Sequence, residues 1–131
     1  QFGAHGTTFG GNPLASAVAR VALRTLASDE IAANVQRQAQ AIREGLDAIN
    51  RDLDLFSEVR GRGLMLGAVL KQEYAGRAGE ILDHAAANGL LLLQAGPDVL
   101  RFVPALNIGD DDVAEGLARL RVAMQAFVVG R

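Results

Sequence analysis

Cysteine is absent from this chain of 131 residues, which excludes disulfides and thiolate metal sites and fits a cytoplasmic protein. Positive charge is in no excess. The net charge is -2 and the sequence pI 5.6, with the arginines scattered, so neither nucleic acid nor an anionic membrane is expected as a partner. No apolar run is long enough to span a bilayer and no signal peptide is recognisable. Histidine occurs only at His5 and His84, in contexts from which no Ser/His/Asp or Cys/His arrangement can be assembled. Lysine occurs only at Lys71, after the apolar run Leu64 to Leu70, where it reads as the solvated end of a strand.

What is present is enough apolar sequence for one core: half of the residues are hydrophobic. From Leu14 to Leu26, apolar positions recur at helical spacing behind Asn12 as N-cap and Pro13 at the first helical position. Ser28 opens a second helix ending near Asp52. Its stripe runs through Ile31, Val35, Ala39, Ile42, Leu46, Ile49 and Leu53, with Gln, Arg, Asp and Glu on the other faces. Phe56 to Arg60 and Leu64 to Leu70 read as strands around a Gly61-Arg62-Gly63 turn, the second apolar on both faces as a covered central strand would be.

A short helix over Ala78, Ile81, Leu82 and Ala85 is closed by Asn88-Gly89, and Leu90 to Leu93 resumes a strand. After a Gly96-Pro97-Asp98 turn, Val99 to Val103 forms a strand with Leu100 and Phe102 on one face and Val99, Arg101 and Val103 on the other. Asp110, Asp111 and Asp112 open a last helix whose buried stripe is Val113, Leu117, Leu120, Met124 and Phe127. The expected fold class is α+β, a small sheet covered by helices and preceded by a long helical segment. The expected division is a loop and connecting helix over 1–27 and a small domain over 28–131.

Two places carry candidate chemistry. His5-Gly6-Thr7-Thr8-Phe9-Gly10-Gly11-Asn12-Pro13 combines hydroxyls with glycines that permit positive φ, immediately before a helix. Such a segment suits phosphate oxygens, although a Gly-rich turn before a capped helix is also an ordinary structural device. Arg101 sits on an apolar strand, where its planar fork suits a carboxylate, or where it snorkels to water or pairs with a nearby Asp. Gly61-x-Gly63-x-x-x-Gly67 misses the dinucleotide-binding spacing and reads as a turn. The Asp110 to Asp112 run reads as helix-dipole stabilisation rather than a metal site.

The His5 to Pro13 string resembles the HG(S/T)T(Y/F)GGNP segment of the class III pyridoxal-phosphate aminotransferases. Ala95-Gly96-Pro97-Asp98-Val99-Leu100-Arg101-Phe102-Val103-Pro104-Ala105-Leu106-Asn107 resembles the segment bearing the substrate-carboxylate arginine in the acetylornithine branch of that family, with Val59 to Gly67 between at the family's place. The resemblance implies the C-terminal part of such an enzyme, including the small domain of a fold-type I transferase. It implies that Thr8, supported by Thr7, contacts the phosphate of pyridoxal phosphate across a homodimer interface, and that Arg101 holds the substrate α-carboxylate.

The same resemblance places the Schiff-base lysine a short way before Gln1, so no catalytic residue is expected in this chain and the chain alone is expected to be inert. The implied reaction moves an amino group from N-acetylornithine to 2-oxoglutarate, in arginine biosynthesis. Succinylornithine, ornithine and 4-aminobutyrate transaminases share much of the frame. A non-catalytic amino-acid-binding or dimerisation module is the reading from another class.

Overall fold

The computed structural model describes residue 3 and residues 5–130. The chain divides into two compact units, Gln1–Ala32 and Ala33–Arg131. In the first, α1 spans Pro13–Leu26, entered as the sequence predicts: Pro13 takes the first turn and Asn12 Oδ1 accepts from the Ala15 N–H at 3.2 Å. The helix buries none of its residues. Ser28 then caps the next helix, its Oγ accepting from the Ile31 N–H at 3.3 Å.

That helix, α2 (Asp29–Leu53), leads into the second unit, which continues with β1 (Phe56–Arg62), β2 (Met65–Leu70), a 3-10 turn (Gln72–Tyr74), α3 (Ala78–Ala87), β3 (Leu93–Gln94), β4 (Val99–Phe102) and α4 (Asp110–Val129). The strands form one antiparallel sheet in the order β1-β2-β4-β3. Alternation along the strands sends Leu66, Ala68, Leu70 and Leu100 to one face, all buried. They share a single core with Ile42, Leu46 and Ile49 of α2, Ile81 of α3, and Leu120, Met124 and Phe127 of α4. Each of these large side chains contributes about 1.5–3 kcal/mol by leaving water, so this one-sided core is what holds the unit together.

Polar groups fix the joints. Asp54 leaves α2 in a left-handed conformation (φ +53°). Asn50 clamps the first strand residue like a strand neighbour, accepting from the Phe56 N–H at 2.6 Å and donating to the Phe56 carbonyl at 2.9 Å. Arg43 of α2 donates to the Gly61 carbonyl at 2.8 Å and the Val59 carbonyl at 3.4 Å, along the outer edge of β1. Gln38 is buried and donates to Asp110, while Arg37 approaches the same carboxylate at 3.3 Å. Together they tie α2 to the start of α4.

Four details differ from the sequence reading. The hairpin loop is Gly63-Leu64 rather than Gly61-Arg62-Gly63, because Arg62 still pairs with Met65; glycine at 63 meets the positive φ of the tight turn, and Leu64 tucks into the core. β2 is covered on one face only, with Met65 59% exposed on the other. β3 is reduced to Leu93–Gln94, since Leu90, Leu91 and Leu92 make no ladder. Gln38 lies inside, because its amide has a carboxylate partner that lies far away in sequence.

Candidate active site

Each candidate segment is set by its own unit. In the first, the Asn12 N–H donates to the Phe9 carbonyl at 3.2 Å, closing a turn over Gly10 and Gly11, and Gly11 adopts φ +75°. A Cβ at Gly10 would fall 2.0 Å from Thr7 Cγ2, so a side chain there would displace the threonine. Thr7 and Thr8 are exposed, and among the described residues their hydroxyls have no hydrogen-bond partner. Unpaired O–H donors beside a left-handed glycine and a helix start form a donor set that suits phosphate oxygens. The residues present thus fit the phosphate of a pyridoxal cofactor.

In the second unit, β4 places Leu100 in the core and turns Arg101 to the opposite face of the sheet. The phase of the strand is the one the sequence predicts. Among the described residues the Arg101 guanidinium has neither an ion pair nor a hydrogen bond, as is also true of Arg20, Arg24, Arg51 and Arg62, whereas Arg37, Arg60, Arg77, Arg119 and Arg121 all meet carboxylates. Arg101 differs from the other unpaired arginines in standing on a central strand, β4. The planar fork of an unpaired guanidinium has the geometry to hold a carboxylate in two parallel hydrogen bonds. An apolar cleft of about 200 Å³ opens toward the core side of β4, lined by Ile42, Phe102, Val113, Leu117 and Leu120 among others, with Arg101 at its border.

The other sequence candidates settle into structural roles. Lys71 pairs with Asp54 at 2.5 Å, and the Asp54 carboxylate holds its ammonium above the ordinary lysine range. Asp110 is occupied by Gln38 and Arg37, whose hydrogen bonds lower its carboxyl below the usual range. Among the described residues no group of three or more His, Cys, Asp or Glu is placed to hold a metal. His84 sits edge-on to Phe127, ring centroids 6.4 Å apart. No helix of the described residues is long and apolar enough to cross a membrane.

Sequence reasoning left Arg60 without a role. It faces the same side of the sheet as Arg101, because both pair across from Gly67. Only the register reveals this.

Comparison with known proteins agrees with the motifs. The profile of the family described as "Aminotransferase class-III" matches residues 1–124. An acetylornithine aminotransferase of Xanthomonas campestris pv. campestris is 70% identical over 98% of this chain, which spans 31% of that protein. The crystal structure of N-acetylornithine aminotransferase from Stenotrophomonas maltophilia K279a superposes with a TM-score of 0.88 at 70% identity, over 92% of this chain and 33% of that one. The ornithine aminotransferase of Toxoplasma gondii, in which PLP partially occupies the active site, superposes with a TM-score of 0.79 at 31% identity, over 96% of this chain and 30% of that one. The chain spans about a third of the length of the curated relatives it matches, and it belongs to the class-III aminotransferase family.

Proposed function

We propose that this chain is the C-terminal part of an acetylornithine aminotransferase, which moves an amino group from N-acetylornithine to 2-oxoglutarate in arginine biosynthesis, as a cytoplasmic homodimer. The observation that carries the reading is the uncommitted Arg101 guanidinium on β4, within a chain 70% identical to proteins of that name. Arg101 holds the α-carboxylate of either substrate in a bidentate grip. For a long diamino acid this fixes which end reaches the reacting centre, a contribution of orientation rather than of proton transfer.

Thr8 donates its hydroxyl to the cofactor phosphate in the partner's site, with Thr7 and the Gly10-Gly11 turn as support. Pyridoxal phosphate, when bound, supplies the electron sink that amino-group transfer requires. The chain's own lysine is committed to Asp54 at 2.5 Å, which supports the view that the catalytic amine comes from elsewhere in the polypeptide.

The test starts with the coding frame upstream of the Gln1 codon, and continues with amino transfer by the complete protein. The expected outcome is an upstream domain carrying the lysine, turnover of N-acetylornithine with 2-oxoglutarate, and a raised KM for both in Arg101→Gln. A start codon at Gln1 would overturn the reading and leave a stand-alone binding module. Turnover of ornithine in preference to its N-acetyl derivative would instead shift the assignment within the family.

A further inference from the structure

The face of the sheet turned away from the core bears a cross-strand row whose members are fixed by register. Arg60 of β1 is opposite Gly67 of β2, Gly67 is opposite Arg101 of β4, and Arg101 is opposite Leu93 of β3. Directly opposed residues of an antiparallel pair project to the same side. Two arginines therefore stand on one face with a residue that has no side chain between them, about 10 Å apart at the backbone, the span of two strand spacings. Their three-methylene stems let both guanidinium groups lean inward over the glycine. A Cβ at Gly67 would already come within 3.1 Å of Val99 Cγ1, and anything larger would fill the space between the arginines.

Val69, Val99, Met65 and Leu93 share this face, so the two arginines stand among apolar neighbours, with Met65 and Leu93 themselves more than half exposed. The facing carboxylate is Glu58, opposite Val69 in the adjacent row, and it approaches Arg60 at 3.8 Å with both side chains more than half exposed. Such a pair is weakly held and gives way to a better partner. Arg62 shares the face but lies at the hairpin tip, opposite Met65.

We propose that Arg60 is a second substrate-contacting arginine, which shares with Arg101 the hold on the substrate carboxylate lying over Gly67. The inference rests on the reading of Arg101 above and adds a residue, a clearance and a competitor to it. Glu58 holds Arg60 until the substrate carboxylate arrives and displaces it. The second guanidinium also raises the positive potential at the site, so binding carries a steeper salt dependence than Arg101 alone would give.

The test uses the complete protein as its gene encodes it, with its cofactor, and follows 2-oxoglutarate binding by calorimetric titration beside steady-state kinetics and thermal melting. Arg60→Gln is expected to weaken binding and raise KM about tenfold, the loss of one charge-assisted contact. The kcat and melting midpoint stay near the parent values, and the salt dependence becomes shallower. Arg60→Lys restores most of the affinity. Glu58→Gln removes the competitor and tightens binding, an effect opposite to that of a damaged fold.

Unchanged binding in Arg60→Gln with binding lost in Arg101→Gln overturns this inference and leaves the proposed function standing. Unchanged binding in both variants overturns the proposed role of Arg101 as well. If Arg60→Gln fails to fold, Glu58→Gln decides: unaltered or weaker binding there overturns the inference.

Discussion

In α1, Leu14, Val18, Val21 and Leu26 recur at helical spacing and all remain more than half exposed; in α2, Ala39, Ile42, Leu46 and Ile49 recur the same way and all are buried. The two helices are entered alike, by Asn12 and by Ser28. What separates them is the sheet. α2 belongs largely to the unit that owns β1 to β4 and therefore finds an apolar face to cover, whereas the described residues of the first unit contain no sheet in this chain, which spans about a third of its relatives' length. Periodicity specifies a helix and the side it will bury, but the burial itself needs a second surface.

The contrast can be pressed by mutation, with urea denaturation of this chain as the measurement. Phe127→Ala should cost about 3–5 kcal/mol, because the ring is fully buried, lies 5.7 Å from the Tyr74 ring and carries the Arg77 guanidinium 4.4 Å above its centroid. Gln38→Leu should cost about 1–3 kcal/mol by stripping a buried hydrogen bond from the Asp110 carboxylate. A loss below about half of the lower figure would mean that the Gln38 to Asp110 bond adds little to the joint, leaving it to Arg37 and apolar contact.

A smaller effect should appear with pH. The Asp110 carboxyl is lowered chiefly by Gln38 and then by Arg37, and the Glu80 carboxyl chiefly by Arg77. A depressed carboxyl contributes stability above its unfolded pKa and loses it as pH falls through the folded value, so the urea midpoint should drop between about pH 5 and pH 2. Asp110→Asn should flatten that slope; an unchanged slope would remove the α2 to α4 joint from the list of acid-sensitive contacts.

Smallest of all is Val18→Ala, expected within about 0.5 kcal/mol of the parent, because its side chain already faces solvent. A cost above about 1 kcal/mol would break the comparison by showing that α1 buries its stripe in this chain after all.

Most of the second unit was legible because its signals are local. The α2 stripe, the Asn88-Gly89 stop, the Gly96-Pro97-Asp98 turn and the phase of Val99 to Phe102 are each written within a few neighbouring residues. The misses share the opposite property. Gln38 reads as a surface residue until Asp110, its partner from the start of α4, is brought to it. Leu90 to Leu92 have strand composition, yet a strand needs a neighbour, and β4 offers pairing only to Leu93 and Gln94.

The candidate site divides in the same way. The face taken by Arg101 follows from alternation, whereas the role proposed for Thr8 came from family resemblance, since a hydroxyl before a helix is common. Arg60 was hidden by a misplaced turn. Assigning Gly61-Arg62-Gly63 to the loop ends β1 at Arg60, while the two-residue loop at Gly63-Leu64 carries the ladder on and sets Arg60 opposite Gly67.

The hydrogen bonds from Arg43 to the Val59 and Gly61 carbonyls bear on how copies of this unit meet. β1 is a sheet border, and a border with unclaimed carbonyls is a template on which another chain can lay a strand. Here a helix side chain already occupies two of those acceptors, and at the opposite border β3 offers a ladder only two residues long. Growth of the sheet from molecule to molecule is thereby discouraged at both rims.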